Sequence, residues 1–342
     1  MFNQKTLLKN ILLSTTLAAT LVPAIAMAEQ WKFAVEEIPN SIMDAYAQEF
    51  KKRIESETNG DITVTIYHLG SLGTPTELVG LAADGVVQFA NVSIGNLGTI
   101  VPESQIFLLP YTLPSDEEKL SRVLSESDVI YNELGNDFES KGLKLQTLYS
   151  EGPQVWTTNR EIRTPEDFDN FKMRVMVSPI LLEAYEDMGA SPTPLDFGEV
   201  YGALQLGQVD GQVNPVPAIE EMKFYEVSDY MIWAGAGDLV TAVVSGSDWY
   251  ESLAPERQQL IDDTLQDMEG FIYDTVADYN KEKLENIKKN KPDIKIIELS
   301  EEEQKAFEER TRDTYKAYTD ITGKRGKKLL DDLNQEIDSM EK

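Results

Sequence analysis

The chain has no cysteine and a single histidine, His68, among its 342 residues. Disulfides, thiolate nucleophiles and zinc–thiolate centres are excluded, as is a lipid-anchored N-terminal cysteine. One imidazole cannot build a histidine cluster around a metal. Positive charge is also scarce: 31 Lys and Arg stand against 60 Asp and Glu, a formal net charge of −29. That balance excludes nucleic acid as a partner, because neutralising phosphates takes clustered Lys and Arg. It also argues against docking on anionic lipid. A surface this acidic stays soluble best where salt screens its self-repulsion, so a salt-rich habitat is expected. After residue 28 no stretch is apolar enough to span a bilayer, and no membrane insertion is expected. There is no Gly-x-Ser-x-Gly elbow, and a Ser-His-Asp triad would have to use His68, which sits at a strand end and reads as structural. Gly70-x-x-Gly73 and Gly95-x-x-Gly98 lack the Lys-Ser/Thr of a phosphate-cradling loop and read as turns.

What is present is a globular chain with an export leader. Hydrophobic residues make up 41 % of the sequence, enough to bury a core, and the length suits two domains. Lys5 and Lys9 form a basic start, Ile11 to Leu21 an apolar segment, and Ala26-Met27-Ala28 a small-x-small cleavage site. Residues 1–28 are therefore read as a signal peptide, and the rest as a periplasmic protein.

Strand and helix patterns then alternate. Trp31–Val35 reads as a strand. Ser41 caps a helix with Ile42, Met43, Tyr46, Phe50 and Ile54 on one face, and Asp61–Tyr67 alternates as a second strand. A helix after Pro75 and the apolar Val86–Ala90 complete a βαβαβ start, which implies a parallel sheet and an α/β fold. Leu143–Tyr149 returns as a strand, and a second unit begins near Gly152-Pro153. Thr164-Pro165-Glu166-Asp167 is a helix-start signature. Lys172–Val177 is expected as a strand, Pro179–Met188 and Phe197–Leu206 as helices, and Tyr230–Ala234 and Thr241–Ser245 as two strands. One long helix is expected over 255–289, and two amphipathic helices end the chain.

Enzymatic chemistry is left only to paired carboxylates. Glu36-Glu37 would serve a glycosidase given a partner acid at the right distance, but among 60 acids such a pair carries little information. Binding features say more. Arg174 lies on the strand Lys172-Met173-Arg174-Val175, where a guanidinium can clamp a carboxylate through two parallel hydrogen bonds. Asp210-Gly211-Gln212-Val213-Asn214-Pro215 reads as a polar loop between two helices. Proline holds Asn214 extended, which suits either an amide facing a cleft or a plain turn.

These stretches carry a resemblance. Phe89-Ala90-Asn91, Phe107-Leu108-Leu109-Pro110-Tyr111, Lys172-Met173-Arg174-Val175 and above all Glu199 through Pro215 resemble the extracytoplasmic solute-binding subunits of TRAP (tripartite ATP-independent periplasmic) transporters. The resemblance implies a two-domain periplasmic binding protein with hinge strands and a long bracing helix. It implies a first domain over 29–152 plus about 239–265, a second over 153–238 plus about 266–342, and the helix 255–289 spanning both. It implies no catalysis and no cofactor, and a pair of membrane subunits driven by a sodium gradient; a monomer is the default expectation for a solute shuttle. Arg174 would bind the solute's carboxylate and Asn214 the same end. Gln154 stands where many members carry a second arginine, which argues against a doubly clamped dicarboxylate. Trp31 through Glu37, Gln105-Ile106-Phe107 and Phe197 through Gly202 resemble the ectoine-binding branch. There Glu37 would meet a cationic group and Phe197 one face of a ring, with Asn96 and Pro217-Ala218 where other aromatics stand. Asn91 and Asp238 complete the expected site. The expected solute is an ectoine-like zwitterion, then an amino compound, a sugar acid or a C4 dicarboxylate. Presentation of a solute to a sensor and a carboxylate-based hydrolase are the readings from other classes.

Overall fold

The computed structural model describes residues 28–340, so the leader, all but Ala28, lies outside the described residues. Among the described residues nine strands form one mixed sheet: β1 (Glu29–Val35), β2 (Ile62–Tyr67), β3 (Phe89–Ser93), β4 (Leu143–Thr158), β5 (Lys172–Val175), β6 (Ser191–Pro194), β7 (Gly211–Asn214), β8 (Tyr230–Gly246) and β9 (Lys295–Glu298). Their order is β2-β1-β3-β8-β4-β7-β5-β6, with β9 paired to β8.

The first half grows from the expected crossover. Ser41 Oγ accepts the Asp44 N–H at 3.1 Å and starts the helix Ile42–Glu57. Its apolar stripe, Ile42, Met43, Tyr46, Phe50 and Ile54, is buried against the sheet. Phe33, Phe50 and Phe89 close that interface, with the Phe50 and Phe89 rings 4.8 Å apart edge to face. β1 pairs in parallel with both β2 and β3. In the second half β7 and β6 flank β5 in parallel, over a core of Trp156, Phe168, Tyr185 and Phe307.

Two long antiparallel strands join the halves. β4 and β8 each run without interruption through both, where the sequence patterns suggested separate shorter strands. Glycines at 152, 235 and 237 hid the continuity, since they read as breaks. The strands keep pairing but slip in register between Ser150, Pro153 and Val155, opposite Asp238.

Three further expectations are corrected. The segment 210–215 is not a loop between helices: Gly211–Asn214 is a fully buried inner strand. A Cβ at Gly211 would lie 2.7 Å from the Thr157 carbonyl oxygen, so glycine is what allows β4 to come this close. The helix expected over 255–289 is two, Pro255–Asp267 and Glu269–Asn290, broken at Met268. The second, about 33 Å long at 1.5 Å per residue, packs on Ile42–Glu57 of one half and Val216–Glu221 of the other. The expected helix Phe197–Leu206 is a 3₁₀ turn followed by Val200–Gln205. The C-terminal helix, Arg312–Met340, bends at Gly323 (φ 65°) and packs on both Pro102–Leu108 and Pro179–Asp187. Among the described residues no helix is long and apolar enough to cross a membrane.

Candidate functional site

Parallel strands end together at a crevice, the usual place for a ligand in an open α/β sheet. The carboxyl ends of β1, β5 and β7 deliver Glu36-Glu37, Arg174 and Asn214. Asn96 comes from the short helix after β3, Leu239 from β8, and Phe197 from the 3₁₀ turn. With Met176 these residues line one cavity. Its polar walls are withdrawn from solvent: Arg174 is 2 % exposed, Glu37 5 %, Asn214 5 %, Glu36 7 % and Asn96 7 %.

Arg174 is oriented by the backbone. Its Nε and Nη2 donate to the Leu195 carbonyl oxygen at 3.0 and 2.8 Å. Nη1 has no hydrogen bond to the described residues. Burial pushes the guanidinium down to about 10, against the pull of Glu36 and Asp196, so it remains a cation at neutral pH. Asn214 Nδ2 donates to Gln212 Oε1, which itself is fixed by Gln212 Nε2 donating to Thr157 Oγ1 at 2.9 Å. Phe197 is held edge-on by Phe224, ring centres 5.8 Å apart.

Opposite stand the acids. Glu36 Oε2 accepts from Asn96 Nδ2 at 3.1 Å. Burial raises its carboxyl, although hydrogen bonds from Ser93 and Asn96 and the charge of Arg174 work the other way. Glu37 accepts the Met43 N–H at 3.4 Å. Burial, then repulsion by Glu36, pushes it up to about 7. Behind it lie two more buried acids. Glu151, on β4, is raised well above the carboxylate range, and Glu221, near Lys283, is pushed up to about 8, burial being the first cause for each. The cavity thus has a cationic wall and an anionic wall, both desolvated. A guest with both charges satisfies both.

Of the eight residues expected to form the site, Arg174, Asn214, Glu37, Phe197 and Asn96 meet in this cavity. Three do not. Gln154 Nε2 donates to the Asp238 carbonyl oxygen at 3.2 Å, and both residues line a different cavity beside Phe107, Pro110 and Tyr185. Asp238 carboxylate accepts from Ser150 Oγ at the register slip. Asn91 is sealed in β3 with its amide on the Tyr149 hydroxyl at 2.8 Å. Sequence reasoning missed Glu36, Met176 and Leu239 as walls. Glu36 was the findable one, next to Glu37 at the end of the first strand. Met176 packs on Gly95, where a Cβ would lie 2.5 Å from Met176 Cε, a contact no sequence pattern signals. His68 pairs with Asp44 at 2.9 Å, outside the cavity. Among the described residues no group of three or more His, Cys, Asp or Glu is placed to hold a metal ion.

Residues 33–320 match the model of "Bacterial extracellular solute-binding protein, family 7". The ectoine-binding periplasmic protein TeaA of Halomonas elongata is 36 % identical over 92 % of each chain. The ectoine/5-hydroxyectoine-binding periplasmic protein UehA of Ruegeria pomeroyi is 34 % identical over 91 % of each. The high-resolution structure of TeaA, from the TeaABC TRAP transporter, superposes with a TM-score of 0.88, covering 91 % of this chain and all of that one. The apo-state TeaA structure gives 0.80, covering 91 % of this chain and 99 % of that one. The chain belongs to family 7 of the bacterial extracellular solute-binding proteins, the solute-binding subunits of TRAP transporters.

Proposed function

We propose that the protein binds a small zwitterion, of which an ectoine-like compound is the preferred example, and delivers it in the periplasm to the membrane subunits of a TRAP transporter. One observation carries this reading: a buried guanidinium whose Nη1 has no hydrogen bond to the described residues shares a small cavity with a buried carboxylate, Glu37. The solute's carboxylate bonds Arg174 and Asn214, its cationic group meets Glu37, and Phe197 covers an apolar face. The similarity to TeaA and UehA supports the same solute class.

Closure does the energetic work. Each wall alone is a costly desolvated charge, and each finds its partner only when the lobes shut on the guest. We take the lobes as 29–152 plus about 239–265 and 153–238 plus about 266–342, hinged at the register slip by Gly152 and Asp238. The leader directs export, the acidic surface suits salty surroundings, and the protein binds its solute as a monomer without turning it over.

A thermal-shift panel of ectoine, betaines, amino acids, sugar acids, C4 dicarboxylates and amines tests the reading. A specific guest raises the melting point by mass action. Zwitterions are expected to give the largest shifts. A shift confined to dicarboxylates or sugar acids would refute the assignment of Glu37, and product formation from any of them would refute the binding-only role.

A further inference from the structure

Glu151 faces Glu37 at hydrogen-bonding range, and both carboxyl groups are buried, 1 % and 5 % exposed. Two carboxylates cannot hydrogen-bond each other without a proton between them, since an ionised carboxylate only accepts. The surroundings say which residue carries it. Glu37 has donors of its own, the Met43 N–H and Ser41, both at the start of the helix Ile42–Glu57. It also opens onto the cavity. Glu151 does not line the cavity. Thr241 Oγ1 donates to its Oε1 at 2.8 Å, and no other donor to its carboxyl is present among the described residues. Its place is fixed by the bracing helix, where Asn280 Nδ2 donates to the Glu151 carbonyl oxygen at 2.9 Å.

We propose that Glu151 is a neutral carboxylic acid that donates its proton to Glu37, and so positions Glu37 as the single anionic acceptor for the cationic group of the solute. This deepens the zwitterion reading and rests on it for the identity of the guest. Glu151 is a positioning residue: it never touches the solute. The other charged and titratable groups around the pair are consistent with this. Glu36 repels Glu37 from the same strand end, and Arg174 offsets Glu36 from β5. Glu221 acts on both from Val216–Glu221, with Glu220 beside it and Lys283 of the bracing helix bridging them at 3.4 Å. Tyr149, on β4, is kept neutral by its burial. The cations at hand are thus already matched to Glu36, Glu220 and Glu221, and none serves the Glu37–Glu151 pair. Full ionisation of that pair would place two unmatched charges side by side.

The consequence is proton-linked capture. Glu37 is the member that titrates near neutrality, pushed up to about 7, so a cation arriving below that range must expel its proton. Glu151 keeps its own proton throughout.

Infrared difference spectra of solute-free wild type against Glu151→Gln, at mildly alkaline pH, read the protonation state without any ligand. The proposal expects the variant to lose a carbonyl stretch of a protonated acid. Loss of a carboxylate stretch would overturn it. Calorimetry of the wild type with ectoine, in buffers of different ionisation heat, reads the proton count and does not depend on the variant folding. Release is expected to approach one proton per ectoine as pH falls below neutral and to vanish at alkaline pH. No release at acidic pH, or release persisting at alkaline pH, would contradict the linkage. Glu151→Gln keeps a neutral donor, so its affinity for ectoine should change by less than about threefold; a loss beyond about tenfold would mean that a charge had been removed. Should ectoine and other zwitterions fail to bind while a simple organic acid binds, the functional reading fails, and the infrared result still decides the state of Glu151.

Discussion

Replacing Arg174 with methionine removes the cation and keeps most of the volume. Arg174 is 2 % exposed, so a solute carboxylate docked there has no water to fall back on. Truncating one partner of a buried charged pair costs about 2–5 kcal/mol of binding, much of it from the charge left unpaired, and about 1.4 kcal/mol is a factor of ten. Affinity for a zwitterion or an organic acid should therefore fall by about 30-fold to a few thousand-fold. The fold should survive. The Leu195 carbonyl oxygen loses two donors, at 3.0 and 2.8 Å, worth about 1–3 kcal/mol. Against this stands relief of the desolvation that already pushes Arg174 down to about 10. Glu36 loses its countercharge and takes up a proton more readily. Arg174→Lys should rescue only part of the affinity, because an ammonium lacks the planar fork. Titration calorimetry on folded variants, checked by melting, is the assay. Affinity within about threefold of wild type for Arg174→Met would refute the clamp, since even an exposed ion pair is worth up to about 1 kcal/mol.

Glu37→Gln should weaken a zwitterion by about 10- to 100-fold, the worth of one charge-assisted hydrogen bond, and spare a simple organic acid; equal losses for both in calorimetry would contradict the two-walled site. Glu36, Glu37, Glu151 and Glu221 all have folded values raised above 4.5, with Glu37 at about 7 and Glu221 at about 8. The folded state then binds more protons than the unfolded one across that window, so stability falls as pH rises from about 5 to about 8. Urea midpoints of the solute-free protein should drop over this range, and a rise would refute the buried-acid account. Gly152→Ala, at φ 107° with a Cβ placed 2.7 Å from Asn280 Nδ2, should cost about 1–3 kcal/mol and loosen the tie between Asn280 and Glu151; an unchanged urea midpoint would show that the backbone is not strained there.

The local half of this structure was legible because local rules govern it. Ser41, the stripe from Ile42 to Ile54 and the alternation in 61–67 each announce one element, and each is there. The long strands were not legible, because β4 and β8 stabilise each other. Glycines at 152, 235 and 237 look like breaks until a partner strand runs alongside. The strand at Gly211–Asn214 was hidden for the same reason: its polar Gln212 and Asn214 are buried only because β4 and β5 flank them. The site divides likewise. Arg174, Asn214 and Glu37 could be named because each closes a strand, and strand ends are where α/β clefts form. Gln154 and Asp238 lie apart from the Arg174 cavity because their direction depends on the slip between Ser150 and Val155, a feature of the pairing and not of either strand. Asn91 could not be placed from sequence, because a buried asparagine looks the same whether it faces a guest or, as here, the Tyr149 hydroxyl.

A crystal structure with the solute that gives the largest thermal shift tests the two-walled cavity most directly. The account predicts a carboxylate on Arg174 Nη1 and Asn214, with the solute's cationic group against Glu37. A solute bound instead beside Gln154 and Asp238, or seated with its cationic end toward Arg174, would contradict it.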